Sequence, residues 1–370
     1  MLKRMLAIAA ALPCAATPAH SQAPAPGLDS LITAYAREHG FNGTVLVQDG
    51  GRIRLHRSFG LAERAFRTPA DTATRYRVAS ITKLFTSVLV LQLVQEGKLA
   101  LQTPIHAYLP DYPGAGADRI TIHQLLNHTS GIANFDREVT SFQQAIENGI
   151  EQYQKPHTTD ALLRRCCSGP LVSQPGAAFS YNNSDYIVLG KIIERVTGKR
   201  FGEVLSERIL RPLGLRNTGM LRQDTVMEGL ASTYFFRDDT RTLINDLPVY
   251  IENWYAAGGM YSTTSDLLTF ANALFGSERL LNTQMRGRLL APGLDDYGYG
   301  LWSYTFRRNG REYRVAKRPG SIMGANAVLY RLADFDTTIV LLANTNQADL
   351  DVFAQRIANH FVDRRAAAGR

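Results

Sequence analysis

The sequence predicts an α+β fold in which one antiparallel sheet is built from both ends of the chain, helices pack on that sheet, and a mostly helical lobe is inserted between. Alternating apolar and polar residues with turn signals occur near the N-terminus and again in the last third. The residues between them are helical and loop-rich. With 370 residues, of which 45% are hydrophobic, the chain is long enough to bury a core of about two lobes.

The elements follow in order from periodicity and end signals. Asp49-Gly50-Gly51 and Arg308-Asn309-Gly310-Arg311 each separate two strand-like runs, which predicts two hairpins. Ser184 is expected to cap a helix that Gly198 ends. The predicted helices are 28–39, 80–95, 121–127, 185–197, 201–210 and 350–362, and the predicted strands are 41–48, 52–59, 299–307, 312–317, 326–332 and 337–342. The stretches 134–165 and 225–255 are interpreted as loops that shape a pocket.

Residues 1–23 are interpreted as a cleaved, Sec-type signal peptide. Lys3 and Arg4 precede a short apolar run over 5–12, and small residues follow up to Ala23. The apolar run is too short to span a bilayer, so no stable membrane insertion is expected after cleavage. We therefore expect the mature protein to be periplasmic or secreted.

Charge and cysteine usage exclude several classes of partner. The formal net charge is +8, but the basic residues are dispersed without interleaved aromatic side chains, so nucleic acid is not an expected partner. Cys166 and Cys167 are adjacent and build no disulfide framework. No metal-ligand spacing or phosphate loop occurs, and we expect neither a metal nor another cofactor. The expected partner is a small-molecule or peptide substrate, and the oligomeric state stays open.

The first chemical motif is Ser80-Ile81-Thr82-Lys83, at the start of the long apolar helix. Residues three apart share one face of a helix, so Ser80 and Lys83 are expected to point the same way. A desolvated lysine can take the proton of a serine hydroxyl and so activate it as a nucleophile. Alone, this spacing favours a helix cap and a solvated lysine.

Two further segments could complete the chemistry. Tyr181-Asn182-Asn183 precedes a predicted helix, where a tyrosine can relay protons and an asparagine can bind both a substrate carbonyl and a lysine. Lys317-Arg318-Pro319-Gly320-Ser321 ends a predicted strand, where a cation beside a glycine permits close approach of a substrate backbone.

In this order, the three segments resemble the serine β-lactamase and penicillin-binding-protein superfamily, in particular its class C-like branch of D,D-carboxypeptidases, D-aminopeptidases and family VIII esterases. The stretches Leu125 to Gly131 and Tyr297 to Trp302 agree with this resemblance. It implies a β-lactamase/transpeptidase-like fold over residues 24–366, with a sheet lobe of about 28–66 and 255–366 and a helical lobe of about 67–254.

The resemblance also implies roles for individual residues. Ser80 would be the acylated nucleophile, Lys83 its base partner and Tyr181 the proton shuttle. Asn183 would hold the substrate and Lys83, and the backbone N–H groups of Ser80 and Ser321 would form the oxyanion hole. Arg318 and Gly320 would complete the substrate-binding residues.

One position departs from the family pattern. The third motif usually reads Lys-Thr-Gly or His-x-Gly, whereas here it reads Arg318-Pro319-Gly320. Arginine keeps the charge but does not titrate, and proline removes a hydroxyl and a backbone donor. This departure bears on recognition of a β-lactam carboxylate more than on acyl transfer. The sequence thus predicts an exported serine hydrolase acting on D-Ala-type peptides, β-lactams or esters, with a catalytically silent binding or sensor domain as the alternative.

Overall fold

The computed structural model describes residues 27–135, 145 and 148–368. The predicted signal peptide lies outside these residues. Six antiparallel strands form the main sheet in the order β10-β11-β12-β13-β1-β2. Its strands are β1 (Gly43–Asp49), β2 (Arg52–Phe59), β10 (Trp302–Arg308), β11 (Arg311–Ile322), β12 (Ala325–Leu332) and β13 (Thr337–Ala343). The sheet therefore joins the two ends of the chain, as the sequence predicted.

Both predicted hairpins are present, and their turns have the backbone conformation that the sequence indicated. Asp49 pairs with Arg52, and Arg308 pairs with Arg311. The residues between each pair have positive φ: 56° and 73° at Gly50 and Gly51, and 51° and 75° at Asn309 and Gly310. Two positive φ angles match the twist of the flanking strands, which explains the preference for glycine and asparagine here.

Helices cover both faces of the sheet. On one face, α1 (Leu28–Glu38) and the C-terminal helix, Leu350–Ala368, bury their apolar side chains against β1, β12 and β13. On the other face lie α2 (Thr82–Gln95) and the helix Thr264–Phe275. Helix α2 is buried almost all round, which fits its continuous apolar sequence. Because α2 is enclosed by the core, the residues at its first turn are held rigidly.

The remaining elements lie mainly between β2 and β10. The two helices already described, Thr264–Phe275 and Leu350–Ala368, are α10 and α12. The remaining α-helices are α3 (Ile122–Leu126), α4 (Glu151–Gln154), α5 (Thr159–Cys166), α6 (Asn183–Thr197), α7 (Phe201–Leu205), α8 (Arg211–Leu213), α9 (Tyr255–Gly258) and α11 (Thr283–Leu290). The short strands are β3 (Leu61–Glu63), β4 (Thr68–Pro69), β5 (Tyr76–Arg77), β6 (Gly219–Met220), β7 (Tyr234–Arg237), β8 (Thr242–Asn245) and β9 (Met260–Ser262). In the described residues no helix combines the length and the apolar character needed to cross a membrane.

Two expectations for this middle region need correction. The stretch 225–255 is not only loop, because β7 and β8 form a hairpin within it. Helix α6 is capped by Asn182, whose side chain accepts a hydrogen bond from the Ser184 N–H at 2.8 Å. Asn182 has φ −145°, so the helix starts at Asn183, two residues earlier than predicted. The earlier start places Asn183 in the first turn, with its side chain fixed by the helix.

The stacked rings of Phe85 and Phe270 allow a test of how much the core around α2 contributes to the stability of the fold. Phe85 and Phe270 are fully buried, and their ring centroids lie 3.8 Å apart. We expect Phe85→Ala to lower the free energy of unfolding by about 3–5 kcal/mol, because it leaves a cavity between two helices. Phe66→Ala is the matched control, since Phe66 is 86% exposed. Urea unfolding of both variants checks this, and equal stabilities would contradict it.

Candidate active site

A serine hydroxyl and a lysine amine lie side by side at the start of α2. Ser80 lies in a short 3₁₀ turn, Ala79–Ile81, directly before α2. Lys83 is fully buried, and its Nζ donates hydrogen bonds to Ser80 Oγ at 3.2 Å, Asn183 Oδ1 at 2.6 Å and the Ala257 carbonyl at 2.9 Å. The predicted proximity of Ser80, Lys83 and Asn183 is thus present, although the last two are 100 positions apart.

Tyr181 lies across from this pair, in the loop that precedes α6. Lys83 Nζ is 4.9 Å from the centroid of its ring. The ring also stacks on Trp302, with centroids 6.0 Å apart and planes 18° apart. The phenol is therefore held within reach of both the nucleophile and the lysine.

Two positive charges control the ionisation of Tyr181. Burial acts to raise the pKa of the phenol, but the charges of Arg318 and Lys83 outweigh it and lower the pKa to about 8. A hydrogen bond from Arg318 Nη2 to the phenol oxygen, 2.6 Å long, favours the phenolate directly. A tyrosine with such a pKa can exchange protons near neutral pH, which suits a general base.

The structure changes the expected role of Arg318. Its side chain is 1% exposed and donates from Nε to the Ser80 carbonyl at 2.6 Å, from Nη1 to the Tyr297 hydroxyl at 2.8 Å and from Nη2 to Tyr181. Arg318 was predicted to bind substrate, but its guanidinium is committed to protein oxygens. It therefore fixes the Ser80 turn and Tyr181, and offers little surface to a substrate carboxylate.

Strand alternation separates Lys317 from this site. Lys317 points to the opposite face of β11, where its Nζ pairs with Asp351 at 3.2 Å. The motif also lies inside a longer strand than predicted, because β11 continues to Ile322. The cation of the third motif is consequently Arg318.

Gly320 is required for a different contact than the sequence suggested. A Cβ at this position would lie 2.4 Å from the Val78 carbonyl oxygen and 3.0 Å from Ser80 N. The missing side chain thus lets β11 lie close to the backbone of the Ser80 turn. Room for a substrate is not the main reason for glycine here. The same approach brings the backbone of Gly320 and Ser321 beside Ser80. An oxyanion hole formed by the backbone N–H groups of Ser80 and Ser321 stays a prediction, and this arrangement is compatible with it.

Gly320→Ala is therefore expected to damage both stability and activity. The added methyl group must push β11 away from backbone atoms of the Ser80 turn, at a cost of about 1–3 kcal/mol in the free energy of unfolding. Gly287→Ala is the control, because a Cβ on Gly287 in helix α11 meets no atom within 4 Å and alanine favours helix. Thermal melting and ester turnover of both variants check this. An active, fully stable Gly320→Ala protein would contradict it.

Removing the charge of Arg318 is expected to move the pH dependence of activity. In Arg318→Gln the pKa of Tyr181 rises, so the alkaline rise in rate shifts to higher pH and activity at pH 7 falls about tenfold per pKa unit. Arg318→Lys keeps a positive charge and is expected to retain more of the native profile. A rate profile from pH 6 to pH 10 for each variant measures this. An unshifted profile in Arg318→Gln would show that the charge does not act on the phenol.

A buried polar network that the sequence did not reveal lies behind Tyr181. Asp185 Oδ2 lies 2.9 Å from His128 Nδ1, and Asp185 Oδ1 accepts from Ser130 Oγ at 2.5 Å. Burial raises the pKa of Asp185, while burial and the charges of Lys83 and Arg318 lower the pKa of His128. The Asn182 N–H also lies 3.3 Å from His128 Nδ1, so the same ring nitrogen contacts the start of α6.

The network holds the aromatic wall of the site. The His128 ring packs on Tyr181 and Tyr297, with centroids 4.6 Å and 4.9 Å apart. Tyr297 and Trp302 lie in the Tyr-Gly-Tyr-Gly-Leu-Trp stretch, for which the sequence gave no individual roles. In the sequence, the only indication of these two residues was a cluster of aromatic side chains at the start of β10. His128 itself is fully enclosed and packs among these aromatic rings.

A groove opens at the candidate catalytic residues. It has a volume of about 530 Å³ and runs from Ser80 and Tyr181 past the edge of β11 to the start of α12. Beyond Trp302, which pairs with Lys317, strand β10 no longer covers that edge. The charged residues lining the groove are Arg318, Asp349 and Asp351. Among the described residues no cluster of ligands for a metal ion occurs.

This geometry agrees with the comparison with protein families. The model of a family described as Beta-lactamase matches residues 28–362. The chain belongs to the β-lactamase family. The motif residues Ser80, Lys83, Tyr181 and Asn183 thus meet in a member of the serine β-lactamase and penicillin-binding-protein superfamily, and the fold is the one expected from the sequence.

Individual relatives cover several activities. The chain is 27% identical over 343 residues to "Penicillin-binding protein 4*" of Bacillus subtilis, covering 86% of this chain and 72% of that one. It is 34% identical over 202 residues to "Esterase EstB" of Burkholderia gladioli, covering 52% of this chain and 51% of the esterase. A solved D-stereospecific amidohydrolase from Streptomyces sp. superposes with a TM-score of 0.75 at 27% identity, covering 90% of this chain and 98% of that one. Serine hydrolases thus occur among its relatives.

Proposed function

We propose that this protein is an exported serine hydrolase that acts on amide or ester bonds through an acyl-enzyme at Ser80. The observation that carries the proposal is the set of contacts around Lys83, whose Nζ reaches both Ser80 Oγ and Asn183 Oδ1 in a buried site beside Tyr181. A serine, a buried amine and an acidic phenol at these distances provide a nucleophile and two proton carriers.

The reaction has two steps. In the first, Ser80 Oγ attacks the substrate carbonyl, its proton passes to the Lys83–Tyr181 pair, and the leaving group departs with a proton. In the second, water attacks the carbonyl of the acyl-enzyme while the Tyr181 phenolate takes a proton from that water. The proton then returns to Ser80 Oγ as the acid product is released. The positive charge of Arg318 favours the phenolate that the second step needs.

The groove favours substrates without a carboxylate beside the scissile bond. Arg318 is almost fully buried, and Lys317 is paired with Asp351 on the far face of β11. The other charged side chains that line the described groove are Asp349 and Asp351, the latter paired with Lys317. Among the described residues, a carboxylate next to the leaving group would therefore meet no exposed, unpaired cation. Simple esters and amides fit this environment better than β-lactams, which carry such a carboxylate.

Labelling experiments test the proposal. The mature protein is incubated with a fluorophosphonate and, separately, with fluorescent penicillin, and turnover of a p-nitrophenyl ester and of a D-amino acid amide is followed. We expect fluorophosphonate labelling, ester or amide turnover, and weaker reaction with penicillin. Failure of every probe and substrate would favour the catalytically silent binding domain. Rapid turnover of penicillin in preference to esters would refute the substrate preference.

Export is a separate part of the proposal and rests on the N-terminal sequence alone. Expression of the full chain in a bacterium with two membranes, followed by fractionation and N-terminal sequencing, tests it. We expect the protein in the periplasm, or secreted, beginning just after residue 21 or 23. An uncleaved cytoplasmic product would contradict export without affecting the catalytic assignment.

A further inference from the structure

His128 is a buried, titratable residue to which the proposed reaction assigns no step. It lies just after α3 and is 1% exposed. Its φ is 59°, in the left-handed region that residues with a side chain rarely adopt. Such a conformation persists only where surrounding contacts hold it, and it is frequent at functional sites. The contacts of His128 therefore indicate what this conformation serves.

Those contacts are with the segment that carries Tyr181. The His128 carbonyl accepts a hydrogen bond from the Ser180 N–H at 2.9 Å, and His128 Nδ1 lies 3.3 Å from the backbone nitrogen of Asn182. The imidazole also packs on the Tyr181 ring, with centroids 4.6 Å apart. One residue thus contacts the chain directly before Tyr181, the chain directly after it, and its side chain.

The imidazole is itself held in place by α6. Asp185 Oδ2 lies 2.9 Å from His128 Nδ1, and Asp185 Oδ1 accepts a hydrogen bond from Ser130 Oγ. His128 Nε2 has no hydrogen-bond partner among the described residues, so the polar anchor of the ring is at Nδ1. The side chains of His128 and Asp185 are both fully buried, so bulk water does not compete for this contact. One buried carboxyl and the surrounding aromatic rings therefore determine where the imidazole lies.

The loop that follows His128 is bonded to the start of α6. Asn182 Nδ2 donates to the Ile132 carbonyl at 2.6 Å, and Ser184 Oγ donates to the Ala133 carbonyl at 2.9 Å. These bonds fix the backbone of the two segments relative to each other. The orientation of the ring between them depends on the side chains packed on it, of which His128 is one.

The position of the Tyr181 ring matters because the ionisation of its phenol depends on two cations. Arg318 Nη2 donates to the phenol oxygen at 2.6 Å, and Lys83 Nζ lies 4.9 Å from the ring centroid. Attraction between charges falls with distance, so a phenol displaced from these cations ionises less readily. The titratable and charged groups that surround the ring are Lys83 from α2, His128 from the loop after α3, Asp185 and Tyr186 from α6, Tyr297 from the segment before β10, and Arg318 from β11.

We propose that His128, anchored by Asp185, is a positioning residue that keeps the Tyr181 phenol beside its two cations. It acts through its contacts and transfers no proton itself. Burial and the charges of Lys83 and Arg318 lower the pKa of His128, which keeps the imidazole neutral beside these cations. The inference rests on the proposed function, in which the Tyr181 phenolate takes a proton from water. The ionisation of Tyr181 can nevertheless be measured without any substrate.

The test replaces His128 by asparagine. Asparagine tolerates a left-handed backbone and keeps a polar atom in place of Nδ1, but it removes the ring that packs on Tyr181. The phenol is titrated by NMR in protein whose tyrosines carry ¹³C at Cζ, and the Tyr181 signal is assigned by its absence in Tyr181→Phe. We expect the midpoint of this titration, about 8 in the native protein, to rise to about 9 or higher in His128→Asn.

His123→Asn is the matched control. His123 lies in α3, and its ring packs on a different tyrosine, Tyr299, whose hydroxyl is 2.6 Å from His123 Nδ1. This variant makes the same chemical change beside a tyrosine that the proposed reaction does not use. We expect it to leave the Tyr181 midpoint at its native value.

Two changes at Asp185 separate position from charge. Asp185→Asn preserves the shape of the carboxyl and its capacity for hydrogen bonds, so the Tyr181 midpoint is expected to stay close to its native value. Asp185→Ala removes the anchor of the imidazole but leaves His128 in place, and we expect the midpoint to rise. This variant also tests the proposal if His128→Asn does not fold.

The kinetics of ester turnover give a second readout. We expect His128→Asn to lower kcat at pH 7 about tenfold or more, to change KM less than about threefold, and to recover a larger fraction of the native rate at pH 10. Damage to the fold alone would lower the rate by the same factor at both pH values.

The NMR titration decides the proposal. It is overturned if well-folded His128→Asn or Asp185→Ala protein keeps the native Tyr181 midpoint, or if Asp185→Asn lowers that midpoint. A native protein that turns over no substrate would contradict the proposed function, whereas the titration would still decide the role of His128.

Discussion

Ser80→Ala is expected to abolish acyl-enzyme formation and to lower kcat for an activated ester by roughly 10⁵- to 10⁶-fold. The reason is that Ser80 Oγ is the hydroxyl that Lys83 Nζ contacts at the mouth of the groove. Alanine removes the attacking atom but leaves the turn, the lysine and the pocket in place. Intact-mass measurement of the fluorophosphonate adduct, together with steady-state ester hydrolysis, provides the readout.

Ser87→Ala supplies the matched control for this experiment. Ser87 lies on helix α2, which follows the Ser80 turn, and is buried. Its Oγ contacts the Tyr186 hydroxyl at 3.0 Å and does not line the groove. We expect Ser87→Ala to keep the adduct and most of the activity, with at most a modest fall in melting temperature. An adduct that persists in Ser80→Ala would refute Ser80 as the nucleophile.

Tyr181→Phe is expected to lower turnover by roughly 10²- to 10⁴-fold and to change its pH dependence. The pKa of Tyr181 is lowered to about 8, because the charges of Arg318 and Lys83 outweigh the opposing effect of burial. The phenolate is the form that accepts a proton. Native activity should therefore rise as pH increases through about 8 and then level off, and this rise should be missing in the phenylalanine variant.

Tyr186→Phe distinguishes a loss of chemistry from a loss of packing. Tyr186 is fully buried five positions after Tyr181, and its hydroxyl donates to the Leu126 carbonyl at 2.8 Å. Burial raises the pKa of Tyr186 well beyond the range in which it could exchange protons during turnover. Its removal is expected to affect stability and to leave the pH profile intact. If both variants lose the same activity and keep the same profile, Tyr181 has only a structural role.

The grouping of the candidate catalytic residues was predictable because their signals are local. Ser80 and Lys83 lie three residues apart, Ser80 in the 3₁₀ turn that leads directly into α2, and this spacing suffices to put them on one face. Tyr181 and Asn183 are recognisable from their place before α6, even though the cap was assigned to Ser184 and not Asn182. The hairpins at 49–51 and 308–311 were equally clear, since two-residue turns impose their own residue preferences.

The roles of Arg318 and Gly320 were not predictable, because both depend on contacts across the fold. Arg318 looked like a cation for the substrate, yet it donates to Ser80, Tyr181 and Tyr297. Gly320 looked like a place for substrate backbone, yet it accommodates the Val78 carbonyl. Ser80, Tyr181 and Val78 lie more than 100 residues away from these positions, and Tyr297 lies in the segment before β10. The spacing within the motif carries no information about such contacts.

The sequence by itself determined that this chain has an antiparallel sheet drawn from both ends and a serine, a lysine, a tyrosine and an asparagine in the order of a serine hydrolase. Those features follow from periodicity, turn chemistry and short spacings, which act between near neighbours. Only the tertiary structure decided the electrostatics of the site. The pKa of Tyr181 and the accessibility of Arg318 depend on burial and on charges brought together from distant segments, and burial exists only after the chain has folded.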